Sequence, residues 1–394
     1  MNTAQTVNPV ELGERLRTAR ETAKIKQADA AAAVGMARTT LVAIEKGERR
    51  VRIDELQGLA NHYGVSVNAL LRREAVHVDL VPRFRRLGEI ADPDVEAAVR
   101  LLNDLVSAEV ELENLLGIQN ARQYPPERPL GTGDVREQAE RDAGWLRDQL
   151  GLGPGPIADM FSLLEVGLGI RLFQRKLPDK ISGLFAYHPA VGASILLNAD
   201  HPRERRTQSG GHELGHFTGT RSSPEVLEKS ERFLSREERY AHAFGRAFLT
   251  PAAAVEQKFK ELTVGASHLT RRHVILLAHY FGVSREAMVR RLEELKLARD
   301  GTWEWFEAHG RITNEDARKV LGDEALGPDP ARTDARRPVS LRLGLMALEA
   351  WKRELLSEGQ LARLLKVDRI TLRTLLYDLQ NDEGEADELL KLPR

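Results

Sequence analysis

Apolar residues recur every three to four positions through most of the chain, the spacing that lines one face of a helix. Over the first seventy residues the pattern comes in short pieces. Leu12, Leu16 and Ala19 share a face before a break near 24–26. Residues 27–34 predict an Ala-rich helix stopped by Gly35, and 37–46 a second one closed by Gly47. Asp54 can cap a helix over 55–63 that Gly64 ends, and 68–71 form a last turn. A strong helical run covers 94–116, and Pro and Gly then punctuate 123–132, which reads as a linker. Helices are predicted over 134–150 and 157–166. The strand-like runs follow, at 170–173, 183–187 and 194–197, separated by turn residues. From Arg203 onward the pattern is helical again, with a break at 322–338 that reads as an exposed loop or linker. The last helices are predicted over 341–356, 358–365 and 371–378, ahead of an acidic tail at 381–388.

The expected class is therefore mainly α with a small β-sheet (α+β). Four parts are expected: a five-helix head at 1–73, a helical connector and linker at 74–130, a mixed domain at 131–297, and a helical C-terminal region at 298–394. A length of 394 residues allows a real core without staples. The chain has no Cys, which excludes disulfides, Cys-ligated zinc and a thiol nucleophile, so any metal must be held by His, Asp and Glu. There is no apolar run of membrane-spanning length and no signal-peptide pattern, so a cytoplasmic protein without a membrane partner is expected. The formal net charge is -1, yet residues 1–73 hold 12 Lys and Arg against 8 Asp and Glu, a local +4.

The clearest chemistry is His212-Glu213-Leu214-Gly215-His216, an H-E-x-x-H pattern. Residues i and i+4 lie on one helix face, so both imidazoles can reach one ion, and Glu213 beside them can take a proton from a metal-activated water. With 11 His in the chain, a chance match is expected only about 0.03 times. Zinc suits two imidazoles plus a carboxylate with one position left open. Glu238, 22 residues beyond His216, starts a helical segment and is the candidate third ligand. The competing reading makes Glu237 and Glu238 ordinary acids near a helix start. His242 shares the Glu238 face and is either an orienting partner, a spare ligand or a plain histidine.

The order of strands, Asn198 at a strand end, the H-E-x-x-H helix and an E-x-x-A-x-x-F segment resembles the ImmA/IrrE family of zinc metallopeptidases over about 136–297. The resemblance implies a zincin-like domain, Zn2+, His212, His216 and Glu238 as ligands and Glu213 as the catalytic group. The family's Asn or Asp four residues after the third ligand is His242 here. Gln208-Ser209-Gly210-Gly211 also departs from the family, which has a bulkier segment there. Each glycine costs a helix roughly 1 kcal/mol, consistent with a site that is weakly active or ordered on activation. Such peptidases add the substrate as a strand beside the metal, and 183–187 and 194–198 are the candidate edges. Tyr187 or His188 are candidates for steadying the oxyanion, with packing as the alternative.

The head resembles helix-turn-helix domains of the lambda-repressor type (the XRE family). The carrying residues are Gln27, Gly35, Thr39-Thr40 and Ile44-Glu45-Lys46-Gly47, with Leu56, Leu59, Ala60 and Val65 as core. Arg38, Thr39 and Thr40 open the recognition helix and can reach base edges, while Gln27 faces a phosphate or base. Arg49, Arg50 and Arg52 fall where phosphates pass. A helical protein-interaction module is the alternative. Residues 94–116 suit either homodimer pairing or packing against the mixed domain. A second helix-turn-helix-like stretch, 358–376, is read as structural or partner-docking, with a second DNA contact as the alternative. The expected function is a DNA-binding zinc endopeptidase in a bacterial or phage stress or defence response. Its partners would be operator DNA and a protein substrate such as a repressor or antitoxin. The alternative is a transcriptional regulator or antitoxin whose zinc fold senses or scaffolds.

Overall fold

A computed structural model describes residues 9–65, 67–71, 92–118, 122, 124–221, 225–228, 235–322 and 339–384. The acidic stretch 385–388 and most of the 322–338 break lie outside these residues. The head comprises α1 (Pro9–Thr22), α2 (Gln27–Ala33), α3 (Arg38–Glu45), α4 (Ile53–Tyr63) and α5 (Val67–Leu71). It closes on its own core, centred on Leu16, Leu41, Ile44 and Leu59. Then come α6 (Pro93–Leu116) and α7 (Val135–Gln149). The stretch between them is laid against the mixed domain. Tyr124 Oη accepts from the Ala193 N–H at 3.2 Å, and the Arg128 N–H donates to the Thr218 carbonyl at 2.7 Å. The predicted helix over 157–166 is a short turn, Met160–Ser162, running into a π-helical turn, Leu163–Gly167.

The sheet holds β1 (Arg171–Arg175), β2 (Ile181–His188), β3 (Gly192–Asn198) and, after α8 (Arg203–Gly219), β4 (Glu225–Glu228). The strand order is β1-β3-β2-β4; β1 pairs parallel to β3, and β2 pairs antiparallel to both β3 and β4. β4 corrects the expectation that the chain is purely helical beyond Arg203. Both faces of the sheet are covered, which explains the unbroken apolar runs. Side chains alternate strictly: Leu172, Phe185, Ile195 and Leu197 enter one core, and Phe173, Leu184, Ala186 and Leu196 the other. Asn198 ends β3 and ties the preceding loop down. It is fully buried, its amide donates to the Leu177, Pro178 and Ile181 carbonyls at 2.9–3.2 Å, and its oxygen accepts from the Leu177 and Asp200 N–H groups.

The remaining helices are α9 (Arg236–Leu249), α10 (Ala252–Leu262), α11 (Arg271–Phe281), α12 (Arg285–Glu294), α13 (Thr302–Ala308), α14 (Asn314–Leu321), α15 (Leu341–Lys352), α16 (Glu358–Leu364) and α17 (Arg369–Gly384). The first core lies between the sheet, α7, α8, α9, α11 and α12. The second core joins the opposite face to α6 and α15–α17, so the apolar side of α6 is used within this chain. Buried charges cross that junction. Arg171 of β1 pairs with Glu109 at 2.6 Å and Glu113 at 2.7 Å, and Arg342 of α15 reaches the same two carboxylates. The 298–394 stretch therefore divides: α13 and α14 pack on α11 and α12, while α15–α17 join α6. The helix-turn-helix-like pair α16 and α17 buries Leu361, Leu365, Leu372 and Leu376 there, and Lys366 makes the glycine-free turn with φ 53°.

Candidate metal centre and nucleic-acid interface

The site is built on the crossing of α8 and α9. The Ser235 hydroxyl caps α9 by accepting from the Glu238 N–H at 3.1 Å, which fixes Glu238 in the first turn. The two helices approach so closely that side chains are excluded between them. A Cβ on Gly245 would lie 2.8 Å from the His212 backbone nitrogen, and one on Gly215 would lie 2.8 Å from the Ala241 Cα. Gly211 faces Gly245, and Gly210 sits under Leu164. Gly215 and Gly245, and less tightly Gly211, are thus what lets α9 deliver Glu238 to the histidines, while Gly210 makes room for Leu164.

His212 and His216 point their Nε2 atoms at each other across 3.0 Å. Glu238 places one carboxylate oxygen 3.1 Å from His216 Nε2 and the other 3.4 Å from His212 Nε2. A tetrahedral ion with ligands about 2.0–2.1 Å away needs donors about 3.3–3.4 Å apart, and the two imidazoles and the Glu238 carboxylate come near those separations, so the set suits zinc. All three residues are buried. Burial pushes the His212 imidazole down to about 3, which keeps it neutral, the form that ligates metal. Burial works to raise the Glu238 carboxyl, but its contacts with His212 and His216 outweigh this and hold it below the usual carboxylate range.

Glu213 is fully buried and lies against β2, where Gly183 makes room; a Cβ at 183 would meet Glu213 Oε1 at 2.6 Å. Thr220 supports the site from behind, its hydroxyl 3.0 Å from His216 Nδ1, and Phe185 stacks on the His216 ring. Sequence reasoning missed all three supporting residues. A polar side chain one turn beyond His216 was the signal for Thr220; nothing marked Gly183 or Phe185. His242 stands at the rim, partly exposed, with Nε2 3.8 Å from Glu238 and its ring 4.4 Å from that of His212. Donor atoms within 4.8 Å of one another occur in two sets, His212, Glu213 and His216, and His212, Glu238 and His242.

The expected peptide-accepting edges need correction. β3 lies between β1 and β2, so 194–198 is not an edge, and β4 takes the outer edge of β2 from Ile181 to Phe185, which leaves of the expected 183–187 edge only Ala186 and Tyr187 beyond its register. Tyr187 packs its ring on the Arg221 guanidinium, and His188 Nδ1 accepts from the Ala190 N–H at 3.1 Å.

In the head, Arg38 and Thr39 are exposed at the start of α3, Thr40 is half-buried and Arg50 is exposed beyond it. Gln27 and Arg49 are engaged internally. Gln27 donates to Glu45 at 2.8 Å, and Glu45 also holds Arg20 in a buried two-point pair. Arg49 makes a two-point pair with Glu55 at 2.9 and 3.1 Å. Among the described residues no helix is long and apolar enough to cross a membrane.

A helix-turn-helix domain profile matches residues 11–73, and the IrrE N-terminal-like domain of the M78 peptidase family matches residues 167–293. No curated protein matches the chain. Among solved structures it is similar to ComR from Streptococcus suis, at 10% identity over 96% of each chain with a TM-score of 0.16. It is also similar to ComR from S. thermophilus in complex with DNA and its signalling peptide ComS, at 12% identity over 94% of this chain and 99% of that one, with a TM-score of 0.21. Scores this low carry no argument about this chain.

Proposed function

Because the chain joins a helix-turn-helix domain to an IrrE N-terminal-like domain, we propose that it is a DNA-binding zinc endopeptidase that cleaves a regulatory protein such as a repressor or antitoxin. The observation that carries this reading is the convergence of His212 and His216 Nε2, 3.0 Å apart, with the Glu238 carboxylate oxygens 3.1 and 3.4 Å from them and Glu213 buried beside them. Bound zinc supplies Lewis acidity and a water of lowered pKa. The Glu213 carboxylate accepts a proton from the attacking water and returns it to the leaving amine. Gly183 keeps that carboxylate in place without crowding it. Thr220 orients His216 so that Nε2 faces inward. The regulator-only reading draws its support from Gly210 and Gly211, and packing gives each a structural reason: Gly211 faces Gly245 at the helix crossing and Gly210 lies against Leu164. The test is incubation of the zinc-loaded full chain with the purified products of neighbouring genes, scoring new N-termini. A set of intact products alongside a zinc-loaded chain would favour the regulator.

For the head, base reading falls to Arg38, Thr39 and Thr40, and phosphate contact to Arg50. Arg38→Ala should relax sequence preference by about 1–3 kcal/mol if it reads a base edge. Arg50→Ala should weaken binding to all duplexes and lower the salt slope by about 0.9. Arg49→Ala breaks the pair with Glu55 and should lower the melting temperature of the head as well as its affinity. Fluorescence anisotropy of the full chain on duplex DNA at several salt concentrations measures all three. Indifference to duplex DNA at low salt would make the head an interaction module.

A further inference from the structure

A cleft of about 340 Å³ opens directly beside the metal site, and its inner end is formed by His212 and His242. It runs along two helix faces. On α8 the wall continues from His212 back through Gln208 to Arg205, and on α9 from His242 forward through Arg246 to Leu249. Residues four and seven apart share a helix face, so both walls lead the same way from the metal. Seven residues of helix span about 10.5 Å. An extended peptide advances about 3.3 Å per residue, so the outer end lies two or three residues from a scissile bond held at the metal.

The cleft is cationic along its length, with Arg246 one turn from His242 and Arg205 at the outer end. Arg205 is half-buried, and one of its Nη atoms donates to Ser182 Oγ at 3.0 Å. Ser182 sits at the bulge of β2, next to the Gly183 that touches Glu213. Of the acids among the described residues, Asp179 is the one whose charge acts on Arg205, and it does not offset the burial that disfavours the guanidinium. Arg246 pairs with Glu294 at 2.7 Å through Nη2, yet its Nε is buried with no hydrogen-bond partner among the described residues. Arg290 also reaches the cleft but is held by Glu304, and Glu286 is the one carboxylate in the lining. Arg205 therefore presents guanidinium donors that the described residues leave unused, the Arg246 guanidinium lines the same cleft, and a planar carboxylate matches a guanidinium fork.

We propose that this cleft is a specificity subsite for an acidic residue, Asp or Glu, two or three positions from the scissile bond of the substrate, held by Arg205 and Arg246. The inference rests on the peptidase reading for its setting. Arg205 tethers the bound carboxylate to the same strand that abuts Glu213, so side-chain recognition and peptide placement are coupled through Ser182.

The test uses the zinc-loaded full chain in two assays. In the first, a degenerate peptide library is digested and the products are sequenced. Cleavage sites should be enriched in Asp and Glu two or three positions from the cut. Arg205→Gln should raise KM for an acidic peptide by about tenfold or more and change KM for a neutral peptide far less. Arg205→Glu should turn the preference toward Lys and Arg. No acidic enrichment, or an enrichment that survives both substitutions, overturns the subsite. In the second assay, peptide hydroxamates with Asp, Asn or Lys at the same positions are bound without any need for cleavage. Tighter binding of the Asp peptide that disappears in Arg205→Gln upholds the subsite even if the library stays uncut, in which case the peptidase reading alone fails. Equal binding of all three by the wild-type chain overturns the subsite.

Discussion

Glu213→Gln is expected to keep zinc bound and to slow cleavage of an authentic substrate by roughly 100- to 10,000-fold, the usual cost of losing a general base. Glutamine has the same length and shape but cannot accept the water's proton. Glu213 is not part of the His212–His216–Glu238 triangle, so the metal should stay. It is also fully buried against Gly183, so an isosteric change is the fair test where a truncation would open a cavity. DNA binding by the head, which has its own core, should be unchanged. Metal analysis and initial cleavage rates on the same preparation separate the outcomes. A variant that cuts like wild type would remove Glu213 from the chemistry.

The second large effect is expected at a residue that touches no substrate. Gly245→Ala would ordinarily strengthen a helix by about 1 kcal/mol. Here the added Cβ would lie 2.8 Å from the backbone nitrogen of His212 and 2.9 Å from the Gly211 carbonyl carbon, and backbone cannot step aside. Overpacking of this kind costs about 1–3 kcal/mol, so the clash should win over the propensity. The helices must part, and Glu238 moves with α9, so zinc affinity should fall together with the melting temperature. Gly211→Ala is the control. Its Cβ would meet the Leu249 side chain at 3.3 Å and Gly245 at 3.4 Å, contacts a small shift can relieve. A Gly245→Ala chain that melts higher and holds zinc as well as wild type would show that the crossing is looser than the structure has it.

The candidate metal residues stand out in the sequence because their chemistry calls for a spacing. Two histidines four apart with an intervening glutamate have few other uses, and the structure brings them together with Glu238. The same local logic marked the five helices of the head and β1 to β3, whose turns carry Gly and capping residues. What was not legible depended on residues far apart in the chain. Gly210 and Gly211 looked like helix breakers because their packing partners, Leu164 and Gly245, are invisible to a local pattern. β4 is four residues long and owes its existence to the free edge of β2, so no periodicity announced it. Gln27 and Arg49 looked like DNA contacts by position in the motif. The local pattern did not announce that Glu45 and Glu55 also hold these two side chains within the head.

Zinc content is the most direct check on the site. The purified full chain and His212→Ala/His216→Ala should be compared by elemental analysis after zinc loading and desalting, with circular dichroism to confirm that both are folded. One zinc per wild-type chain and almost none in the folded double variant is the predicted result. Equal zinc in the two proteins would contradict a centre built on His212, His216 and Glu238.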